Sequence, residues 1–405
     1  MDFIPIISTL RRHRTAATLI VLEIAFTCAI VCNAVFLIRE RVNRMDRASG
    51  ITEDEIVRIQ LTGIGQKSDP GVITRQDLAA LRGLGGVKSA AVTNMIPFGG
   101  SSWNSSISPI PDDPSPPINV GTYMGSHDLI ETLGVKLSAG RDFTPGEYLD
   151  FAATGSNIHV PSVLITKGIA ERLFPGQSAL GKPLYVWGKQ PSTIVGIIDV
   201  LARPNDWQGA EGRTYALVMP LDIDFTTGGN YLIRCDPARK VEVLAAAEAA
   251  LKQVDPNRLI INRQTFGEVR RDFFKQDRAM AWLLAGVSIA LLIITALGVI
   301  GLASFWVQQR TRQIGVRRAL GATRGDILRY FQTENFILAT AGIVLGMALA
   351  YGINLWLMGK YQIERLPVEV LPIGAGVLWF LGQIAVLGPA LRAAAIPPAI
   401  ATRSV

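Results

Sequence analysis

The stretch Gly176-Gln177-Ser178-Ala179-Leu180-Gly181-Lys182 carries the strongest hint of nucleotide chemistry in the chain. Gly-x-x-x-x-Gly-Lys is the spacing with which a backbone loop cradles phosphates while a lysine reaches the terminal ones. The eighth position, where Ser or Thr must hold magnesium, is Pro183, and proline has no N–H to offer a phosphate. The stretch is therefore expected to be a turn, and the chain to hydrolyse no ATP of its own. No nucleophile elbow, His-Glu-x-x-His pair, Cys-x-x-Cys motif or other glycine-rich nucleotide loop survives in context. Cys28 and Cys32 lie one helical turn apart in an apolar run, and Cys235 stands alone, which excludes a disulfide within its own domain. All three read as packing residues. His13, His127 and His159 show no metal-ligand spacing, so no metal and no cofactor are expected on this chain.

Two charged features remain. Glu23 lies inside the first apolar run, where an unpaired charge at bilayer centre costs about 2.5–3.5 kcal/mol on insertion scales. It is either an ion or substrate contact, or a protonated or snorkelling glutamate set against a neighbouring helix; its off-centre place favours the second. Gln308 to Gln332 holds Arg310, Arg312, Arg317, Arg318, Arg324 and Arg329 against a single acid, Asp326. That bias keeps a short loop on the cytoplasmic side. Ile314, Arg317, Arg318 and Gly321 fall at helical spacing, predicting a short amphipathic helix over Gln309 to Leu320 with Gly321 as C-cap. Thr323-x-x-Asp326 predicts a capping box for the helix that follows. By composition alone this is an arginine-rich loop that fixes topology.

The elements that must position these residues are mostly apolar helices. Of 405 residues, 49% are hydrophobic and 18% charged, and mean hydropathy is +0.30, as in a membrane protein with a soluble insert. The net charge of +7 points to topology and membrane lipid rather than nucleic acid, because much of the arginine borders apolar runs and no nucleic-acid motif is present. The predicted spans are residues 16–38, 279–307, 333–358 and 370–391. The first is too long for a signal peptide and ends in Arg39-Glu40-Arg41, so it reads as an uncleaved anchor. Its flanking arginines leave its direction ambiguous, and the loop at Gln308 decides it. Residues 1–15, 308–332 and 392–405 are then cytoplasmic, 39–278 form an outer domain with stalk helices, and 359–369 are a short outer loop. Gly342, Gly346 and Ala350 form a small-xxx-small row, either a dimer seam or internal packing. Few polar residues besides Glu23 lie in the spans, so a polar conduit is not supported.

Gly50 to about Thr265 is expected to be α+β. Strands are predicted at Glu55 to Leu61, Val87 to Thr93, Ser162 to Ile165, Thr193 to Val200, Tyr215 to Met219 and Tyr231 to Arg234. Thr74-x-x-Asp77 is expected to cap a helix ending near Gly85, and Asp236-Pro237 to cap one over Ala238 to Val254. Ser101 to Pro117 reads as an exposed loop, with a formal sequon at Asn104-Ser105-Ser106. Thr265-x-x-Glu268 opens a helix that runs, with no proline to stop it, from Phe266 to Val307. Gly298 and Gly301 are candidate hinges in it.

The string Gln313-Ile314-Gly315-x-x-Arg318-Ala319-Leu320-Gly321-Ala322 resembles the EIG-x-x-RA-x-GA segment of the MacB/FtsX-like permeases of ABC transporters. Gln313 departs from it, standing where the family usually has glutamate. Gly134, the Gly140-Arg141-Asp142-Phe143 element, Leu173-Phe174-Pro175, Gly181-Lys182 and Ile194-Val195-Gly196 are similar in order and spacing to the MacB-type periplasmic core domain. The resemblance implies an α-helical membrane protein with four transmembrane helices and a large α+β extracytoplasmic domain between the first two. It implies that Gln313, Ile314, Gly315, Arg317, Arg318, Ala319, Leu320 and Gly321 form a coupling helix that docks on a separate cytoplasmic ABC ATPase, which holds the ATP and Mg. It further implies an inner-membrane location, a second permease chain (identical or paralogous), and a periplasmic adaptor with an outer-membrane duct in some relatives. The implied activity is ATP-driven export of a drug, peptide or lipoprotein-like substrate. The alternative is FtsX-like control of cell-envelope hydrolases.

Overall fold

The computed structural model describes residues 14–64, 69–111, 117–154, 158–207, 209, 211–361, 365–367 and 369–397. The expected N-terminal lead-in through His13, the tail from residue 398, and parts of the Ser101–Pro117 and 359–369 loops lie outside these. Helices run in chain order as α1 (Arg14–Asp46), α2 (Pro70–Arg82), α3 (Leu129–Leu133), α4 (Phe151–Thr154), α5 (Lys167–Leu173), α6 (Lys240–Val254), α7 (Phe266–Phe273), α8 (Lys275–Gln309), α9 (Thr311–Ala319), α10 (Arg324–Tyr361) and α11 (Val370–Ala394). The strands are β1 (Ile56–Gly63), β2 (Val87–Thr93), β3 (Asn104–Ile107), β4 (Ile118–Met124), β5 (Leu137–Gly140), β6 (Leu149–Asp150), β7 (Ser162–Thr166), β8 (Pro183–Leu184), β9 (Ser192–Ile198), β10 (Ala216–Met219), β11 (Leu221–Asp222), β12 (Asn230–Cys235) and β13 (Arg258–Thr265). They divide into two units, Arg47–Lys275 and Met1–Asp46 with Gln276–Val405.

In the unit Arg47–Lys275, β1 alternates: Val57, Ile59 and Leu61 enter the apolar core, while Arg58 and Gln60 point to the other face. The four-stranded sheet runs β13-β1-β12-β2 with every neighbour antiparallel. Helix α2 joins β1 to β2, helix α6 joins β12 to β13, and both pack on that sheet. This is a split β-α-β arrangement with residues 94–229 inserted between β2 and β12. The insert builds a mixed sheet, β3-β4-β10-β7-β9-β5 with β8 also on β9, in which β4–β10 and β7–β9 are parallel. One apolar cluster continues through both sheets, from Ile59 and Ile233 to Ile165 and Leu217. The glycine-lysine stretch is a turn: Gly181 has φ +76° and Pro183 pairs with Thr193 on β9.

The structure corrects several expectations here. Thr74 and Asp77 are buried inside α2, and its cap is Asp69, whose side chain accepts from Gly71 N and Val72 N. Ser101–Pro117 is not wholly a loop, because β3 buries Ser105 and Ile107. Strand β13 escapes sequence reading because its pattern is inverted: Leu259 and Ile261 are exposed, while Arg258 is buried. The single long helix from Phe266 is broken at Phe274 (φ −92°, ψ 13°). That ring is buried against Phe98 and Phe273, with centroids 5.2 and 4.8 Å away. Burying an aromatic ring outweighs one lost turn of helix, and no proline announces it. The capping box of Thr265 and Glu268 is present.

Among the described residues, the other unit has four helices long and apolar enough to cross a membrane, α1, α8, α10 and α11. Its tightest pair is α1 with α10. A Cβ on Gly342 would lie 2.8 Å from Ile24 Cβ, and one on Gly346 would lie 2.5 Å from Cys28 Cβ. Asn33 Nδ2 donates to Ala350 O (3.3 Å). The small-residue row is thus internal packing that lets two backbones approach. Cys28 and Cys32 are buried in the same contact. Helix α1 continues past its apolar run to Asp46, so Arg41 and Arg44 reach Asp277 at the start of α8 (2.5 and 3.1 Å).

In the α+β unit, Asp77 Oδ2 accepts from Tyr231 Oη (2.5 Å) and Arg258 Nη1 (2.6 Å), and the side chains of Asp77 and Arg258 are 0% and 1% exposed. Asp77→Ala takes the hydrogen-bonded counter-charge from a buried guanidinium and leaves it only Asp255, whose Oδ2 lies 3.8 Å from Nε. It should cost about 3–5 kcal/mol in denaturant unfolding of the solubilised chain, followed by tryptophan fluorescence. A cost near zero would mean that Arg258 finds another partner.

Candidate functional site

Helix α9 stands where the arginine-rich loop was expected to be helical, two residues shorter at the start, because Gln308 and Gln309 complete α8. Gly321 follows it with φ +101°, a left-handed residue that ends the helix, and Thr323 and Asp326 form the expected capping box at the start of α10. The helix divides its residues by spacing. Thr311, Ile314, Gly315 and Arg318 face inward. Ile314 packs with Val307, Ile327, Phe331 and Ala393, so α8, α10 and α11 all meet it.

Arg318 is not on the outer face, as a docking role would require. Its Nη1 donates to Ala394 O (3.1 Å) and Ile396 O (2.7 Å), closing the free carbonyls at the end of α11. The outward row is Gln313, Val316, Arg317 and Leu320, at i, i+3, i+4 and i+7. Leu320 is 82% exposed and Val316 44%. Arg317 lies with its guanidinium 4.7 Å from the Tyr330 ring centre, which orients it without burying it. Ala319 is exposed between the two faces.

Glu23 is half-buried, and a Cβ on Gly298 would lie 2.5 Å from its Oε1. Among the described residues it forms no ion pair or hydrogen bond. Four residues along α1, Thr27 Oγ1 lies 2.8 Å from Thr295 Oγ1 in a buried hydrogen bond between α1 and α8. Gly298 is therefore a close-approach glycine for α1, while Gly301 meets open space, and α8 is unbroken through both.

Sequence reading missed the joint at the root of α9. Arg310 links α8 to α9, and its Nη1 donates to both oxygens of Glu334 on α10 (3.0 and 2.9 Å). The side chains are 8% and 2% exposed, and Trp306 lies beside the guanidinium at 5.6 Å. The visible signal was one carboxylate at the start of the third apolar run and one arginine just after the second. Pairing them needs the hairpin geometry of α9 and the turn after it.

Residues 16–255 match the MacB-like periplasmic core domain family, and residues 285–398 match the FtsX-like permease C-terminal family. The chain is 25% identical over 249 residues to the macrolide export ATP-binding/permease protein MacB of Chromobacterium violaceum, covering 58% of this chain and 36% of that one. It is 24% identical over 289 residues to the uncharacterized ABC transporter permease YknZ of Bacillus subtilis, covering 69% and 66%. It thus spans about a third of the first relative and just under two thirds of the second. Among solved structures, the extracellular domain of the noncanonic ABC-type transporter YknZ from Gram-positive bacteria is 15% identical and aligns over 51% of this chain and 100% of that one, with a TM-score of 0.32.

The ion pair gives a measurable expectation. Glu334→Leu should destabilise the solubilised protein by about 3–5 kcal/mol, because Arg310 stays buried and uncompensated. The double change Arg310→Met with Glu334→Leu should recover most of that loss, read as the coupling energy of a double-mutant cycle. Additive losses would show that the two charges do not depend on each other.

Proposed function

The chain belongs to the family with a MacB-like periplasmic core domain and an FtsX-like permease C-terminal domain, and on that premise we propose that it is the membrane subunit of an ATP-driven exporter. The outward row of α9 carries this reading: Gln313, Val316, Arg317 and Leu320 offer apolar groups and a cation on a helix held firmly from behind. An exposed leucine and valine on a well-packed element mark a docking face. The partner is a cytoplasmic ABC ATPase that holds the ATP and Mg. Gln313 in place of glutamate makes the contact with one acid fewer.

The mechanism is mechanical. Closure of the ATPase pushes α9, and the Arg310–Glu334 pair with the Ile314 packing gives α9 no freedom to yield alone. The push passes into α8 and α10 as rigid bodies, a recognised form of switching. Helix α8 leads to the outer domain. The chain is a multi-pass inner-membrane protein with cytoplasmic termini and a periplasmic Arg47–Lys275 unit. It works with a second permease chain, and where relatives use them, with an adaptor and an outer-membrane duct. A drug, peptide or lipoprotein-like substrate leaves from the periplasm or outer leaflet. The match to the MacB-like core over residues 16–255 supports export over control of envelope hydrolases.

The test uses the outward row alone and spares Arg318, whose loss would free the end of α11. Val316→Asp with Leu320→Asp should reduce ATPase retained on the purified permease by more than about tenfold, since burying each side chain contributes about 1.5–3 kcal/mol. Size-exclusion behaviour and tryptophan emission should stay those of the unaltered chain. Equal retention of the ATPase would remove α9 as the docking element.

A further inference from the structure

Arg58 is a buried cation with no counter-charge among the described residues. It projects from β1 on the face away from the apolar core, where a strand arginine would ordinarily reach water. It is instead 7% exposed. Its Nε donates to Asn230 Oδ1 (2.9 Å) and its Nη2 to Gln60 Oε1 (2.6 Å). Both acceptors are neutral amides, and among the described residues no carboxylate pairs with it. Among the described residues Nη1 makes no hydrogen bond, and Arg58 lines a cavity of about 220 Å³. Gln60, Asn94, Ser101, Asn230 and Asn262 help to line that cavity, and none of its lining residues is acidic.

The amides cannot turn to supply more. Gln60 Oε1 is shared with Asn262 Nδ2 (2.8 Å). Asn230 Nδ2 is held by Asn94 O (3.1 Å) and Gly228 O (3.0 Å), and Asn94 Nδ2 by Thr122 O (2.9 Å). Burial pulls the guanidinium down to about 10, which still leaves it charged at neutral pH. A charge removed from water costs several kcal/mol unless an opposite charge meets it. Compare Arg258, buried to the same degree, which has Asp77.

We propose that this cavity is an oxyanion site that takes a carboxylate or phosphate group on Arg58, with Ser101 and the surrounding amides as its polar wall. A guanidinium with a free nitrogen suits such a group, because planar N–H donors match its oxygens. The volume is below the roughly 300–1,000 Å³ of pockets for drug-sized molecules. It accommodates one anionic group, free or at the end of a larger ligand. The site stands independently of the exporter reading.

The experiment is thermal unfolding of the full chain in uncharged detergent at constant ionic strength. Inorganic phosphate, an N-acetylated dipeptide with a free C-terminal carboxylate, and the same dipeptide as its amide are each compared with chloride. Phosphate, the carboxylate peptide or both should raise the midpoint above chloride, and the amide should not. A shift with phosphate alone identifies a free ion as the source, and a shift with the peptide identifies a ligand carboxylate; each supports the site. Arg58→Gln should weaken the apparent affinity at least about tenfold, as loss of a charged hydrogen bond does. Gln60→Glu keeps the acceptor for Arg58 and Asn262, gives up the weak Nε2 bond to Gly228 O (3.3 Å), and places a carboxylate beside the guanidinium. It should raise the midpoint without added anion and abolish the response to anion. No shift beyond chloride, or a shift that persists in both variants, overturns the proposal.

Discussion

Arg310 and Glu334 are held together out of water where α8, α9 and α10 meet. Removing both from water costs several kcal/mol per ion, and the pair recovers that only in close two-oxygen geometry. The geometry exists only while α8 ends at Gln309, α9 turns back, and α10 brings Glu334 beside Arg310. The pair therefore selects one arrangement of the hairpin and penalises others. Apolar packing through Ile314, Ile327 and Phe331 adds stability there, but such contacts tolerate sliding far better than a two-oxygen ion pair does. Specificity of the joint comes from the charges, and cohesion from the apolar wall.

Small residues set the rest of the membrane unit. Helix α10 lies against α1 because Gly342 and Gly346 leave no side chain between the backbones. Without a hydrophobic drive between helices in lipid, such close packing and a few polar contacts must hold them. Thr27 with Thr295 and Asn33 with Ala350 O provide those contacts. Helix α8 has the most lipid-like surface, with Leu283, Ile293 and Leu297 exposed. A helix packed so lightly on its own chain can shift as a body at little cost in contacts, which suits the part proposed for it.

What the sequence revealed follows from periodicity. Four apolar helices, the capping boxes at Thr265 and Thr323, and strands such as Val87–Thr93 were legible because each rests on local spacing. Helix α9 was legible for the same reason, together with a motif held by the family. The role of Arg318 was not, because its acceptors, Ala394 O and Ile396 O, lie on another helix. The misread elements share a cause. Thr74 and Asp77 imitate a cap but serve Phe225 N, Tyr231 and Arg258, all far along the chain. Phe274 breaks a good helix to complete an aromatic cluster. Tertiary demands overrode local preference wherever a long-range contact was worth more than a helical turn or a cap.

Buried arginine makes the same point about site reading. Arg58, Arg203, Arg258 and Arg310 are all buried, although arginine ordinarily lies at a surface. Arg258 and Arg310 have carboxylates. Arg203 spreads its charge over Asn119 O, Asn119 Oδ1 and Asn104 Oδ1, filling the space between strands with no cavity beside it among those described. Arg58 differs in having both neutral partners and a cavity that it lines. Desolvation acts on all four, but only at Arg58 does the fold leave room for the missing charge to come from outside. Composition cannot distinguish these cases, because the difference lies in what the neighbouring strands present and how much space they leave.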